Sequence, residues 1–248
     1  MRAMSAGREV SVAFVAVTLA AVSSTVAGRA EWFEPYVHLV VAVVFLWTAL
    51  HLAQRQPDGL ARYGLHLGGV LEPAEPPPSS LWATLTDLAA ALRRAAPLAL
   101  REALFALGLA MVIFPPFTLG FYVWHAPQHA FHLRAPEDVG SYLLAQLSLV
   151  ALPEEALFRG YFQGRLSEIF DRRMRVLGAS VCVPALLSQA ALFALIHFAV
   201  TVAPERLAVF FPALVFGWLR ERRGGIGAAI VFHALCNLFA DVLVESWV

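Results

Sequence analysis

Residues 143–160 read LLAQLSLVALPEEALFRG, a run apolar enough to cross a bilayer that nevertheless holds Glu154, Glu155 and Arg159. An ionised side chain at the centre of a span costs roughly 2.5–3.5 kcal/mol on insertion scales, so charges kept there face one another or a functional site. On a helix Glu155 and Arg159 are four residues apart with the acid on the N-terminal side, the favourable order for a pair on one face, while Glu154 is turned about 100° away. The pair accounts for Glu155 and leaves Glu154 for another partner. Unpaired, Glu154 suits a general base that takes a proton from water and returns it to a leaving amine. Pro153, just before, leaves a nearby carbonyl without its helical donor.

Two further apolar segments carry polar groups. His197 closes Phe193-Ala-Leu-Ile-His197, and His233 and Asn237 are four apart, so both project from one helix face, where an imidazole and an amide can donate to a developing oxyanion. Taken singly, each histidine reads as a buried imidazole bonded to a neighbouring helix, and Glu155–Arg159 as a structural ion pair. Together, in three separate segments, they imply one shared polar cavity.

The rest of the chain sets that cavity in a membrane. Of 248 residues, 59% are hydrophobic and 15% charged, and the mean hydropathy is +0.68. At about 20 residues per span this predicts an all-α, polytopic transmembrane helix bundle of about seven to eight spans, with residues 1–248 as one membrane domain and the motif-bearing helices at 141–240. The expected spans are Val10–Ala27, Tyr36–Ala53, Leu98–Trp124, Ser141–Phe170, Ser180–Ala203, Leu207–Leu219 and Ile226–Trp247. The first is read as an uncleaved anchor rather than a signal peptide. Residues 54–80 form a loop or linker: 72–78 are too proline-rich for helix, and Leu60–Leu71 suits either a segment lying on the headgroups or a solvated loop. Leu81–Leu92 reads as an amphipathic approach helix, and Pro115-Pro116 as a kink or break in the third span.

All 18 basic residues other than histidine are arginine. With seven spans and the N-terminus cytoplasmic, fourteen fall inside and three (Arg29, Arg134, Arg206) outside, Arg159 lying in the membrane. The positive-inside rule therefore favours N-in. Straight helices then put His197 late in its span and His233 early in another, at different depths. Cys182 and Cys236 sit in apolar stretches and receive no role. His125, His129 and His132, around Pro127, read as an interfacial loop rather than a metal site.

Glu154-Glu155-Ala-Leu-Phe-Arg159, Phe193-Ala-Leu-Ile-His197 and His233-Ala-Leu-Cys-Asn237 resemble, in order, the EExxxR, FxxxH and HxxxN motifs of the CPBP or Abi family, the CAAX-protease-like intramembrane endopeptidases. The resemblance implies a glutamate-type peptidase of the bacterial inner membrane in which Glu154 and His197 activate water, His233 and Asn237 stabilise the oxyanion, and Glu155 and Arg159 hold the site together. It implies no cofactor, although Glu154, His197 and His233 also match a zinc site with a bound water. The partners implied are the lipid bilayer and a membrane-anchored protein or peptide, not nucleic acid. A CAAX prenyl protein is the family analogy. Processing of C-terminal sorting signals, as by myxosortases, or of bacteriocin-like peptides suits a chain rich in Ala, Arg and Val without Lys, a composition compatible with a GC-rich bacterial genome. Competing readings are a non-catalytic immunity or scaffold protein of the same family, or a proton-coupled transporter, which needs a polar path to both faces.

Overall fold

The computed structural model describes residues 5–71, 79–170 and 172–247; the proline-rich stretch 72–78 lies outside the described residues. Helix α1 (Ala6–Ala27) leads through the 3₁₀ turn Glu34–Tyr36 to α2 (Val37–Gln54). Helix α3 (Leu81–His125) begins where Ser80 Oγ accepts from the Ala83 N–H, and residues 139–170 form α4, capped by Asp138, whose carboxylate accepts from the Ser141 N–H. After a hairpin of β1 (Arg173–Val176) and β2 (Ala179–Cys182) come α5 (Val183–Val200), α6 (Phe210–Arg223) and α7 (Gly227–Trp247).

The architecture is the expected all-α polytopic bundle. Among the described residues α1, α2 with its leading turn, α3, α5 and α7 are long and apolar enough to cross a membrane. The other two expected spans are α4, which carries the charges, and α6, of 14 residues. Large apolar side chains such as Leu19, Leu39, Trp47, Leu104 and Val112 point outward, as a lipid-facing surface requires. The hairpin is the departure from all-α. Its turn, Leu177-Gly178, has φ of 46° and 78°, the two left-handed residues that a tight two-residue turn of this hand needs.

Three expectations change. Helix α3 runs unbroken through Pro97, Pro115 and Pro116 rather than splitting into an approach helix and an interrupted span. Aromatic packing on α7 supports it there: Phe114 stacks on Phe239 at 4.1 Å and lies 6.0 Å from Phe232. At 45 residues it is about 68 Å long, so the half bearing Asp87, Arg93, Arg94 and Arg101 extends beyond a hydrocarbon core of about 30 Å.

Residues 60–71 are not wholly a surface segment, as either reading of them expects. Tyr63 and Leu65 are buried in the bundle core. They press on α4 at Gly160 and Gly164: a Cβ on Gly164 would stand 2.5 Å from Tyr63 Cδ1, and one on Gly160 would collide with Leu65 Cδ2. The Ile226 N–H donates to the Gly64 carbonyl, which ties this plug to the start of α7.

The two histidines, finally, are not at distant depths. Both contact Phe193, with ring centroids 4.4 Å (His197) and 6.0 Å (His233) away, so they lie within about two helical turns of each other.

Candidate active site

Helix α4 positions the carboxylates. It widens into π-helical geometry at Gln146–Ala151 and again at Ala156–Phe162, leaving the α-helical turn Leu152–Glu155 between. Such widenings recur at functional sites because they turn side chains out of the ordinary helical register. Pro153 lies in that turn, directly after the first widening, and supplies no backbone donor to the turn before it.

Glu155 and Arg159 have no exposed side-chain surface, and Glu155 Oε1 lies 3.0 Å from Arg159 Nη1. The charges touch without hydrogen-bond alignment, since the three Arg159 nitrogens have no hydrogen-bond partner among the described residues. The guanidinium is sandwiched between aromatic faces instead, its carbon 4.1 Å from the Phe193 centroid and 4.9 Å from that of Phe216. Glu155 Oε1 also accepts from His233 Nδ1 at 2.8 Å. That fixes the ring: a carboxylate only accepts, so Nδ1 carries the proton and Nε2 faces the other way. Nε2 lies 3.8 Å from Glu154 Oε2, and Phe216 stacks on the imidazole at 4.7 Å.

Glu154 has a different setting. Its side chain is 16% exposed, and its Oε2 has no hydrogen-bond partner among the described residues. It opens on a cleft of about 240 Å³ formed by α1, α2, α4 and α5, whose lining is mainly apolar. His197 lines the same cleft. Its Nδ1 is 2.8 Å from the Phe193 carbonyl, which can only accept, so the neutral ring holds its proton on Nδ1 and leaves the Nε2 lone pair free. Thr25, His38, Thr201 and Arg206 are the other polar groups along the cleft.

The structure thus brings Glu154, Glu155, Arg159, His197 and His233 together. Asn237 is turned to another partner: its Nδ2 donates to Gln146 Oε1 at 2.8 Å, and it is not among the residues lining the cleft. Among the described residues no three His, Cys, Asp or Glu side chains are grouped as a metal would require, which covers both the Glu154–His197–His233 set and the 125–132 histidines.

Sequence reasoning missed two groups. Gln163 continues the Glu155–Arg159 face by one more turn of four residues, a signal that was there to be read. Its Nε2 donates to the Gly217 carbonyl at 3.0 Å and to Glu221 Oε1 at 3.1 Å. A second ion cluster, Glu9–Arg165–Glu168, ties α1 to the end of α4 and reaches Tyr63, whose hydroxyl donates to Glu168 at 3.0 Å. Only the fold reveals it, because Glu9 and Arg165 are far apart in sequence.

Residues 136–239 match the family described as Type II CAAX prenyl endopeptidase Rce1-like. The match begins just before α4 and ends within α7, so it spans all three motif-bearing helices. Neither the comparison with curated proteins nor that with solved structures finds a match.

Proposed function

Over residues 136–239 this chain belongs to the Rce1-like CAAX endopeptidases of the CPBP family, and from that premise we propose that it is an intramembrane endopeptidase using glutamate-activated water without a metal. At the level of the family, the activity is that of an intramembrane CAAX-type endopeptidase. The observation that carries the finer reading is the unequal environment of the two adjacent carboxylates. Glu155 is fully buried and held by Arg159 and His233, whereas Glu154, held by no hydrogen bond at its Oε2 among the described residues, lines a cleft that it shares with His197.

Glu154, helped by the free Nε2 of His197, takes a proton from water in the cleft. The resulting hydroxide adds to a peptide carbonyl, and the proton passes to the amine as the C–N bond breaks. Arg159 holds Glu155 as a fixed anion, and Glu155 holds the His233 ring with Nε2 toward Glu154. When Glu154 relays the proton taken from water to the facing Nε2, His233 donates from there to the developing oxyanion before that proton passes to the amine. Asn237 acts with it only if its amide leaves Gln146.

The substrate enters from the side on which the cleft opens. Its lining comes from the end of α1 (Ala21, Thr25), the start of α2 (Val37, His38) and the end of α5 (Val200, Thr201), all at the face opposite the N-terminus. With the N-terminus cytoplasmic, as the arginine distribution favours, this is the outer face of a bacterial inner membrane. The substrate is then an exported protein or peptide with a membrane-associated C-terminal segment rather than a cytosolic prenyl protein.

The test is cleavage of reporter peptides anchored at either face of proteoliposomes, by protein inserted in a known orientation, with wild type and His197→Ala and with and without a chelator. The reading expects cleavage of outer-face reporters, its loss in His197→Ala and no effect of chelator. Cleavage confined to inner-face reporters overturns the substrate assignment, and loss with chelator overturns the metal-free chemistry.

A further inference from the structure

We propose that the bundle contains a buried water site, separate from the substrate cleft, between Arg159, Gln163 and Gln189, and that it continues as a hydrated track to the hairpin end of the molecule. Three helices supply it. Arg159, Gln163 and Gln189 are all fully buried, and the two amide heads converge on the bare face of Gly217: a Cβ there would lie 2.5 Å from Gln163 Oε1 and 2.7 Å from Gln189 Nε2.

Each amide nitrogen is accounted for, Gln163 Nε2 by Gly217 and Glu221 and Gln189 Nε2 by the Ala213 carbonyl at 3.1 Å. Both amide oxygens, and all three nitrogens of Arg159 one turn away, lack a hydrogen-bond partner among the described residues. Donors and acceptors thus stand unpaired in one layer, the arrangement that bound water resolves by bridging them.

The polar chain continues away from the cleft. Gln163 touches Glu221, which receives Arg220 Nη1 at 2.7 Å and Arg173 Nη1 at 3.1 Å. Arg220 Nε, beside it, is also without a partner among the described residues. Arg173, on β1, has a side chain 44% exposed, so the series that starts at Arg159 reaches solvent at the hairpin end. The fixed Arg159 guanidinium at the inner end of such a path repels protons while leaving water free to reach it, so the track is suited to hydration rather than proton transport. It keeps the charge of Arg159 solvated and gives the site water when substrate fills the cleft. The inference does not depend on the site being a peptidase.

Hydroxyl-radical labelling by X-ray pulse, on the full chain in proteoliposomes and read residue by residue by mass spectrometry, tests it without reference to activity. Radicals form from water in place, and Phe216, only 2% exposed and against the Arg159 guanidinium, is the reporter, with buried Phe162 as a dry reference and exposed Met174, on the hairpin outside the spans, as a wet one. The expected result is labelling of Phe216 but not of Phe162 in the wild type, lost in Gln163→Met/Gln189→Met while Met174 is unchanged. If the double variant does not assemble, Gln189→Met alone, which keeps the Gln163–Glu221 bond, serves in its place and should weaken the Phe216 label. An unlabelled Phe216 in the wild type means that the side chains satisfy one another directly and overturns the proposal. So does a label that survives both variants.

Discussion

Replacing Arg159 with Met removes a fully buried guanidinium and leaves the Glu155 carboxylate, equally buried, with His233 alone. Deleting one partner of a buried ion pair costs about 3–5 kcal/mol, because the surviving charge keeps its desolvation penalty and loses its counter-charge. At about 2–4 °C of Tm per kcal/mol for a chain of this size, the expected fall is roughly 6–20 °C. Methionine's thioether against Phe193 and Phe216 recovers part of the lost aromatic contact, which favours the lower half of that range. Glu155→Gln should destabilise to a similar degree by stranding the arginine. The double variant Glu155→Gln/Arg159→Met removes both charges, so it should melt above either single variant, with a coupling of about 0.5–3 kcal/mol. The assay is thermal unfolding in one detergent at a fixed protein-to-detergent ratio. Single variants that melt with the wild type, or a double variant whose loss equals the sum of the two, would refute the view that these charges hold each other.

Gly164→Ala puts a methyl group 2.5 Å from Tyr63 Cδ1 and should lower stability by about 1–3 kcal/mol, read from the same melting curve; an unchanged Tm would mean that the 59–69 plug is not seated on α4. Burial, together with the bond to Glu168, pushes the Tyr63 hydroxyl from 10.0 up to about 12. A raised folded-state value contributes stability that is complete below pH 10 and disappears as pH climbs through about 12, so the margin of wild type over Tyr63→Phe should shrink across that window and stay flat below it. Arg165→Met cuts the link from α4 to Glu9 and should loosen α1, which also lines the cleft; limited proteolysis after residue 27 should then accelerate, and unchanged digestion would place α1's hold elsewhere.

The membrane class and the site's composition were legible because both rest on local signals. Apolar runs of span length mark α1, α2, α3, α5 and α7, and four-residue spacing alone predicts the Glu155–Arg159 contact and the freedom of Glu154. What the sequence hid depends on contacts between distant segments. Tyr63 and Leu65 look like loop residues until they meet Gly164 and Gly160, and the local rule that proline breaks a helix is outweighed at Pro115-Pro116 by packing of α3 on α7. The π-helical stretches around the carboxylates have no marker in residue type. Asn237 shows the limit of the spacing argument: four residues from His233, it shares a helix face with it, yet its amide goes to Gln146 on α4.

The central claim is that Glu154, not its neighbour, activates water. The most direct measurement is the cleavage rate of an anchored reporter peptide by Glu154→Gln in proteoliposomes, alongside its melting temperature. Loss of a general base predicts a fall of about 10²–10⁴-fold with a Tm close to that of the wild type, since no bond within the protein holds Glu154 Oε2. Cleavage by Glu154→Gln at the wild-type rate would contradict the account.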